Sequence, residues 1–205
     1  MWALVEDNAV TKVFTRPKAL TLGDNQYPAN IFSLWSSSEL EAIGIYEVVI
    51  DNTNLKNEKY YINTNQSFAF ASGTVTASYG TATAKEIDNT LYTADDETAN
   101  AENVEGTVAS YGLKHNHKET INSQAAAKLQ PTDWMILRAA DGGTAVPSSI
   151  TTKRAAVRTK ANTMCTAIDD AADVDALATL YEYVNTGTEE SPVFERPLGE
   201  LPEVG

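Results

Sequence analysis

Gln130-Pro131-Thr132-Asp133-Trp134 is the stretch on which the reading of this chain turns. It lies between two segments with helical composition. Pro131 has no N–H, and its ring clashes with the preceding turn, so the first helix is expected to stop there. Thr132 and Asp133 carry side-chain oxygens suited to accept from the free N–H groups opening the next helix. Trp134 offers the largest apolar surface with which to lock two helices together. The stretch therefore reads as the corner of a helical hairpin. If Trp134 is buried there, its replacement by Ala costs about 3–5 kcal/mol.

Outward from this corner the chain is helical on both sides. Leu113 to Leu129 contains no Pro and no internal Gly, and Ala125-Ala126-Ala127 favours helix. Asp133 to Ala140 reads as a short helix closed by Gly142-Gly143. A longer helix is expected from about Ser149 to Ala171. Its residues Val157, Ala161, Met164 and Ile168 recur at spacings of four, three and four, the period of a single helical stripe. Asp173 caps a last helix, Val174 to Tyr183. Beyond Gly187, a tail with Pro192, Pro197 and Pro202 reads as extended.

The first part of the chain has a different texture. Trp2 to Phe14 reads as a hairpin turning at Glu6-Asp7-Asn8. Leu20-Thr21-Leu22 precedes a turn at Gly23-Asp24-Asn25. Ser36 and Glu39 stand in capping-box spacing at the head of a short helix that Gly44 ends. Ile45 to Ile50 is rich in β-branched residues and reads as a strand. Tyr60 to Ala71 continues as short strands, with Phe68 and Phe70 on one face. Thr74 to Ala84 has mostly small side chains, which suit either a strand packed against something else or a loose linker. Asp95 to Asn103 is acidic and poor in apolar residues.

The expected fold class is thus α+β. Residues 1–84 form a small β-rich unit with one short helix, and 85–110 an acidic linker. Residues 111–186 form a helical hairpin or small bundle, and 187–205 an extended acidic tail. The anchors expected from this reading are Trp35, Tyr46, Trp134, Val157 and Met164.

Composition narrows the classes of function. The chain has 205 residues, and 42% of them are hydrophobic, enough for a packed core. No apolar run approaches the roughly 18 residues of a membrane span. The first residues lack the basic flank and apolar run of a signal peptide, so synthesis in a host cytoplasm is expected. A net charge of −13 opposes nonspecific binding to nucleic acid. That charge is uneven. Arg138, Lys153, Arg154, Arg158 and Lys160 face only Asp141 in their stretch, whereas from Asp169 onward Arg196 is the sole base. Arg154 and Arg158 are expected to dock a partner, the plain alternative being a solvated face.

No constellation for chemistry stands out, and no cofactor or metal site is expected. Cys165 is the only cysteine, which rules out an intrachain disulfide, and it reads as a buried small residue. His115 and His117, at i and i+2, point to different faces of a helix and read as surface residues beside Lys114 and Lys118. Asp95-Asp96-Glu97 and Asp169-Asp170 lack the ligand spacing of a calcium loop. Asp141-Gly142-Gly143-Thr144 lacks the Lys-Ser/Thr of a phosphate loop.

Two places resemble a group of tailed-bacteriophage proteins encoded beside the tail fibre genes. The first is Tyr27-Pro28-Ala29-Asn30-Ile31-Phe32, followed by Ser36-Ser37-Ser38-Glu39-Leu40-Glu41-Ala42-Ile43-Gly44-Ile45-Tyr46-Glu47-Val48. It is similar to their Tyr-Pro, aromatic, acidic helix and Leu/Ile-Gly-Ile strand. The second runs from Ala125 to Arg138 through Leu129 and Thr132-Asp133-Trp134. It is similar to the Leu-Leu-x-x-Thr/Ser-Asp-Trp segment of tail assembly chaperone and tail-fibre-associated proteins. In those proteins a basic helix comes next, a place that Lys153-Arg154-Ala155-Ala156-Val157-Arg158 fits. The resemblance leaves most of the chain uncovered and brings no catalytic residues.

It implies a non-enzymatic structural component of a virion, tail or tail-fibre-associated. Such a component is expected to contact other tail or fibre proteins, as a homo-oligomer or in many copies, with neither nucleic acid nor membrane as partner. A tail assembly chaperone absent from the finished particle is the second reading. A tail-associated polysaccharide- or wall-degrading enzyme is the third, and needs paired carboxylates in a cleft.

Overall fold

The computed structural model describes residues 1–204, in two compact units, Met1–Thr83 and Ala84–Gly205. Strands dominate the first and helices the second, so the chain is α+β.

The first unit is built on a hairpin of β1 (Trp2–Glu6) and β2 (Ala9–Phe14). Asp7 and Asn8 turn it with φ of 49° and 61°. Left-handed backbone at both turn residues matches the right-handed twist of the flanking strands. A second hairpin joins β3 (Leu20–Leu22) to β4 (Asn25–Tyr27). A helical turn, α1 (Ile31–Leu34), then precedes the expected helix α2 (Ser37–Glu41), so the unit has two short helical pieces where one was expected. The reciprocal Ser36–Glu39 capping box is formed.

Gly44 comes next with φ of 79°, and a Cβ there would stand 2.8 Å from Val5 O, so conformation and space both require glycine. Its carbonyl accepts from Val5 N at 2.8 Å, where β1 shifts register against β2. The chain continues through β5 (Ile45–Asp51), the two-residue β6 (Tyr61–Ile62), β7 (Ser67–Ala71) and β8 (Thr74–Ser78). The two-residue β9 (Thr83–Ala84) ends this run of strands.

Five strands form one sheet in the order β2-β1-β5-β8-β7. β5 and β8 run parallel and the other neighbours antiparallel. The edge strands β2 and β7 approach each other, so the sheet curls toward a barrel. Alternation along β1 serves two clusters. Leu4 packs with Phe14, Leu20, Ile31, Phe32, Leu40 and Ile45 under the β3–β4 hairpin, α1 and α2. Ala3 packs with Val48, Val75 and Ala77, flanked by Tyr46, Phe68 and Phe70. The small residues of Thr74–Ser78 are thereby explained as an interior strand. Val75 and Ala77 are fully buried, packed with Ala3 and Val48 on one face of the curled sheet.

In the second unit, residues 85–110, expected as a linker, carry regular structure. β10 (Thr90–Leu91) pairs with β11 (Val108–Ser110), and between them α3 (Ala94–Ala99) is opened by a Thr93–Asp96 capping box. No α3 residue is buried, so capping rather than a core orders this helix. The segment is also tied to α4 (Leu113–Leu129). Leu113 N donates to Glu86 O and Lys114 N to Ile87 O, which satisfies N–H groups that open this helix.

Helix α4 runs antiparallel to α6 (Ser148–Asp169), the two being joined through a short helix, α5 (Asp133–Ala140). Lys118 pairs with Asp169 at one end and Leu129 meets Arg154 at the other. Their buried stripes are Leu113, His117, Ile121 and Ala125 on α4, and Arg154, Val157, Ala161, Met164 and Ile168 on α6. His117, expected on the surface, is thus a core residue, its ring 4.6 Å from that of Tyr181. α7 (Val174–Thr179) starts at the Asp173 cap and is shorter than expected. The chain leaves the helix after Leu180, whose carbonyl accepts from Leu198 N.

The tail is a second departure from the extended reading. β12 (Val184–Asn185) pairs with β13 (Phe194–Glu195), and Leu198, Leu201 and Val204 are buried. The three apolar side chains recur every third residue and bury one side of the segment, while its prolines keep it out of a helix.

Candidate interaction surface

Helix α4 ends at Leu129 and the chain does not break at Pro131. Gln130–Thr132 makes one turn of 3-10 helix that runs into α5. Pro131 stands in the first turn of this new segment, where a missing N–H leaves no bond unmade. The continuing turn supplies carbonyls for the N–H groups that Thr132 and Asp133 were expected to cap; Asp133 N, for example, donates to Gln130 O. Neither side chain serves as a cap.

Both are used instead by Arg154. Its Nη1 donates to Leu129 O at 2.7 Å and to Thr132 Oγ1 at 2.5 Å, and its Nη2 to Asp133 Oδ1 at 2.7 Å. Thr132 Oγ1 in turn donates to Leu129 O at 2.9 Å. Arg154 is 4% exposed, so the docking role expected for it is excluded by its burial. A planar, always charged guanidinium suits this position because it addresses a carbonyl, a hydroxyl and a carboxylate at once. The last carbonyls of α4 carry partial negative charge, which further favours a cation there. Arg154 is therefore the element that fixes the corner.

Trp134 is not. It is 53% exposed, and the Arg138 guanidinium lies 4.8 Å from its ring centroid. With Asp133 turned toward Arg154, the next side chain points about 100° around the helix, away from the packed face. Trp134, Leu137 and Arg138 fall at i, i+3 and i+4 and share one face of α5. No α5 residue is buried, and Leu137 is 70% exposed. Leu137 was missed from the sequence, although a Trp-Met-Ile-Leu run in an eight-residue helix is apolar on more than one side. The helix is closed by Gly142 with φ of 80°, and Gly143 N donates to Arg138 O.

The remaining expected residues lie elsewhere. Arg158 is exposed on α6, one turn beyond Arg154, and Lys153 is exposed beside it. Trp35 and Tyr46 belong to the first unit. Trp35 is half-buried, edge-on to Tyr27 with centroids 5.8 Å apart. Tyr46 is half-buried 4.7 Å from Phe70. Val157 and Met164 are core. Cys165 is only partly buried, with its thiol pKa pushed up by desolvation.

A second exposed apolar group escaped the sequence reading. Tyr183, Val184, Val193 and Phe194, at 62%, 42%, 48% and 61% exposure, line the β12–β13 ribbon. Asn185 Oδ1 holds its loop by accepting from both Gly187 N and Val193 N. Glu189 and Glu190 stand exposed at its tip.

Of two depressions, one has a mixed polar and apolar lining and the other a polar one. One, of about 630 Å³, is lined by Lys12, Leu20, Thr21, Gln26, Tyr27 and Pro28. A smaller one, of about 140 Å³, lies among Asp88, Lys114, His115, Lys118 and Asp169, where Lys114 pairs with Asp88 and Lys118 with Asp169. No group of acidic, histidine and cysteine side chains among the described residues is arranged to hold a metal ion. No helix among them is long and apolar enough to cross a membrane. No family model, curated protein or solved structure matches this chain.

Proposed function

We propose that this protein is a structural component of a tailed-bacteriophage virion, tail or tail-fibre-associated, that works by protein–protein contact in many copies. The observation that carries this reading is the exposed Trp134 and Leu137 on one face of α5, with the half-buried Arg138 beside them, held at a corner that Arg154 fixes. A large aromatic beside an arginine on a rigid element is the residue choice of an interface centre. The sequence resemblance adds the phage context, and Thr132-Asp133-Trp134 lies in one of the two stretches it rests on. Other tail or fibre proteins are the partners in this reading, and the virion is its location after synthesis in the host.

Mass spectrometry of purified virions, with copy number, tests it. The expected outcome is many copies per particle. Presence in infected cells with absence from mature particles overturns it in favour of an assembly chaperone.

A further inference from the structure

Residues 196–204 form a strap across the helices of the second unit. Leu198 N donates to Leu180 O at 3.0 Å just beyond α7. Gly199, with φ of 71°, stands against the Lys160 side chain of α6. Glu203 pairs with Lys128 of α4. Leu198, Leu201 and Val204 are 2%, 8% and 2% exposed, so the strap belongs to the core of the unit. Its connection to α7 is built in the opposite way. Every residue from Glu182 to Glu195 is exposed. The β12–β13 ribbon in this connection has strands of two residues, and Asn185 Oδ1 holds its loop by accepting from Gly187 N and Val193 N. A two-stranded ribbon is marginal in water by itself. Straightening this one gives up hydrogen bonds that water replaces, and no buried apolar surface.

We infer that the strap is exchanged between copies of this chain: residues 196–204 of one copy occupy, on a second copy, the seat they fill here on their own. The seat itself selects that occupant. Leu198, Leu201, Val204 and Glu203 already match it, and a second copy offers the same side chains to an identical seat. Reach permits the exchange. In the closed form the ribbon returns the chain so that one hydrogen bond joins Leu198 to Leu180. Fully extended, residues 181–197 span roughly 55–60 Å. That exceeds the length of α6, whose 22 residues rise about 33 Å. The strap thus reaches a neighbour's seat while α4, α6 and α7 stay in place.

The strap makes the same contacts in both forms. Only the ribbon and the entropy of association separate them, so raising the concentration shifts the balance toward exchange. Reciprocal exchange between two copies gives a closed dimer, and onward exchange gives a ring or a filament. The inference uses a different surface from the α5 face and does not rest on the virion reading, since particle composition and strap exchange are separate measurements.

The test mixes light and heavy-nitrogen-labelled full chains, unfolds them together in denaturant and refolds them at rising concentration. Size exclusion with light scattering separates monomer from oligomer. A carbodiimide then joins Lys128 to Glu203, whose carboxylate is accessible, and mass spectrometry of the digest reads the labels of the joined peptides. The oligomer is expected to grow with concentration and to hold joined peptides with one light and one heavy member. In the monomer both members are expected to carry the same label. A variant lacking residues 187–191 has no loop with which to turn the ribbon back. It is expected to form the exchanged oligomer at concentrations where the wild type is monomeric, with a thermal melt to verify folding. A wild-type chain and a shortened variant that both stay monomeric overturn the inference. So does an oligomer whose joined peptides always share a label or do not form, because its copies then keep their own straps or leave the seats empty.

Discussion

At the scale of single residues, the corner exchanges the roles of an aromatic and a cation. Trp134 has the larger apolar surface, but Arg154 holds the structure. The two make opposite predictions in one experiment. Trp134→Ala is expected to cost about 1 kcal/mol or less in urea unfolding, the ordinary range for a largely exposed side chain. Arg154→Ala is expected to cost about 3 kcal/mol, because it strips charge-assisted hydrogen bonds from Leu129 O, Thr132 and Asp133. Arg154→Lys is expected to recover little of this, since an ammonium group does not span the three acceptors with a fixed fork. A Trp134→Ala melt lowered as far as that of Arg154→Ala refutes the assignment. His117 obeys a related rule. Its spacing of four from both Leu113 and Ile121 marks the buried stripe of α4, and that periodicity outweighs the polarity of an imidazole.

At the scale of elements, helix ends here were more legible than helix packing. The Ser36–Glu39 box, the Asp173 cap and the span of α4 come from short-range rules and are found in place. The caps carry a pH dependence of definite sign. Hydrogen bonds to Ser36 and to Thr93, backbone first, hold the Glu39 and Asp96 carboxylates below their ordinary values. The Thr53 hydroxyl and N–H do the same for Asp51. A group whose folded pKa is depressed contributes stability above its unfolded pKa, and that contribution is lost as pH falls through the folded value. Melting temperature is therefore expected to fall on the acid side of the carboxylate range, with a shallower fall in Glu39→Ala and Asp96→Ala. Identical acid slopes in the variants contradict this. The tail is the element least like its sequence reading. Leu198→Ala and Leu201→Ala are each expected to cost about 2–5 kcal/mol, as for buried leucines elsewhere. Unchanged unfolding midpoints restore the picture of a loose extension.

At the scale of the whole molecule, the chain consists of two compact units, each with its own buried residues. Met1–Thr83 has an apolar cluster on each face of its curled sheet. It is therefore expected to fold when expressed alone, with dispersed amide resonances and a cooperative melt. Collapsed resonances and a melt without a transition contradict that expectation.

The sequence by itself determined the α+β class, the strand-rich first half, the Ser36–Glu39 box, the Asp173 cap and the apolar stripe of α6. These depend on near neighbours along the chain, on turn chemistry, and on the periods of strand and helix. Tertiary structure alone decided three other matters. It made the small residues of β8 an interior strand, because β5, distant in sequence, pairs with it on the side opposite β7. It ordered 85–110 beside α4 through backbone carbonyls, which no composition reveals. It also buried Arg154 while leaving Trp134 in the open. Polarity ranks the two residues the other way, but only the crossing of α4 and α6 places a carbonyl, a hydroxyl and a carboxylate around one guanidinium.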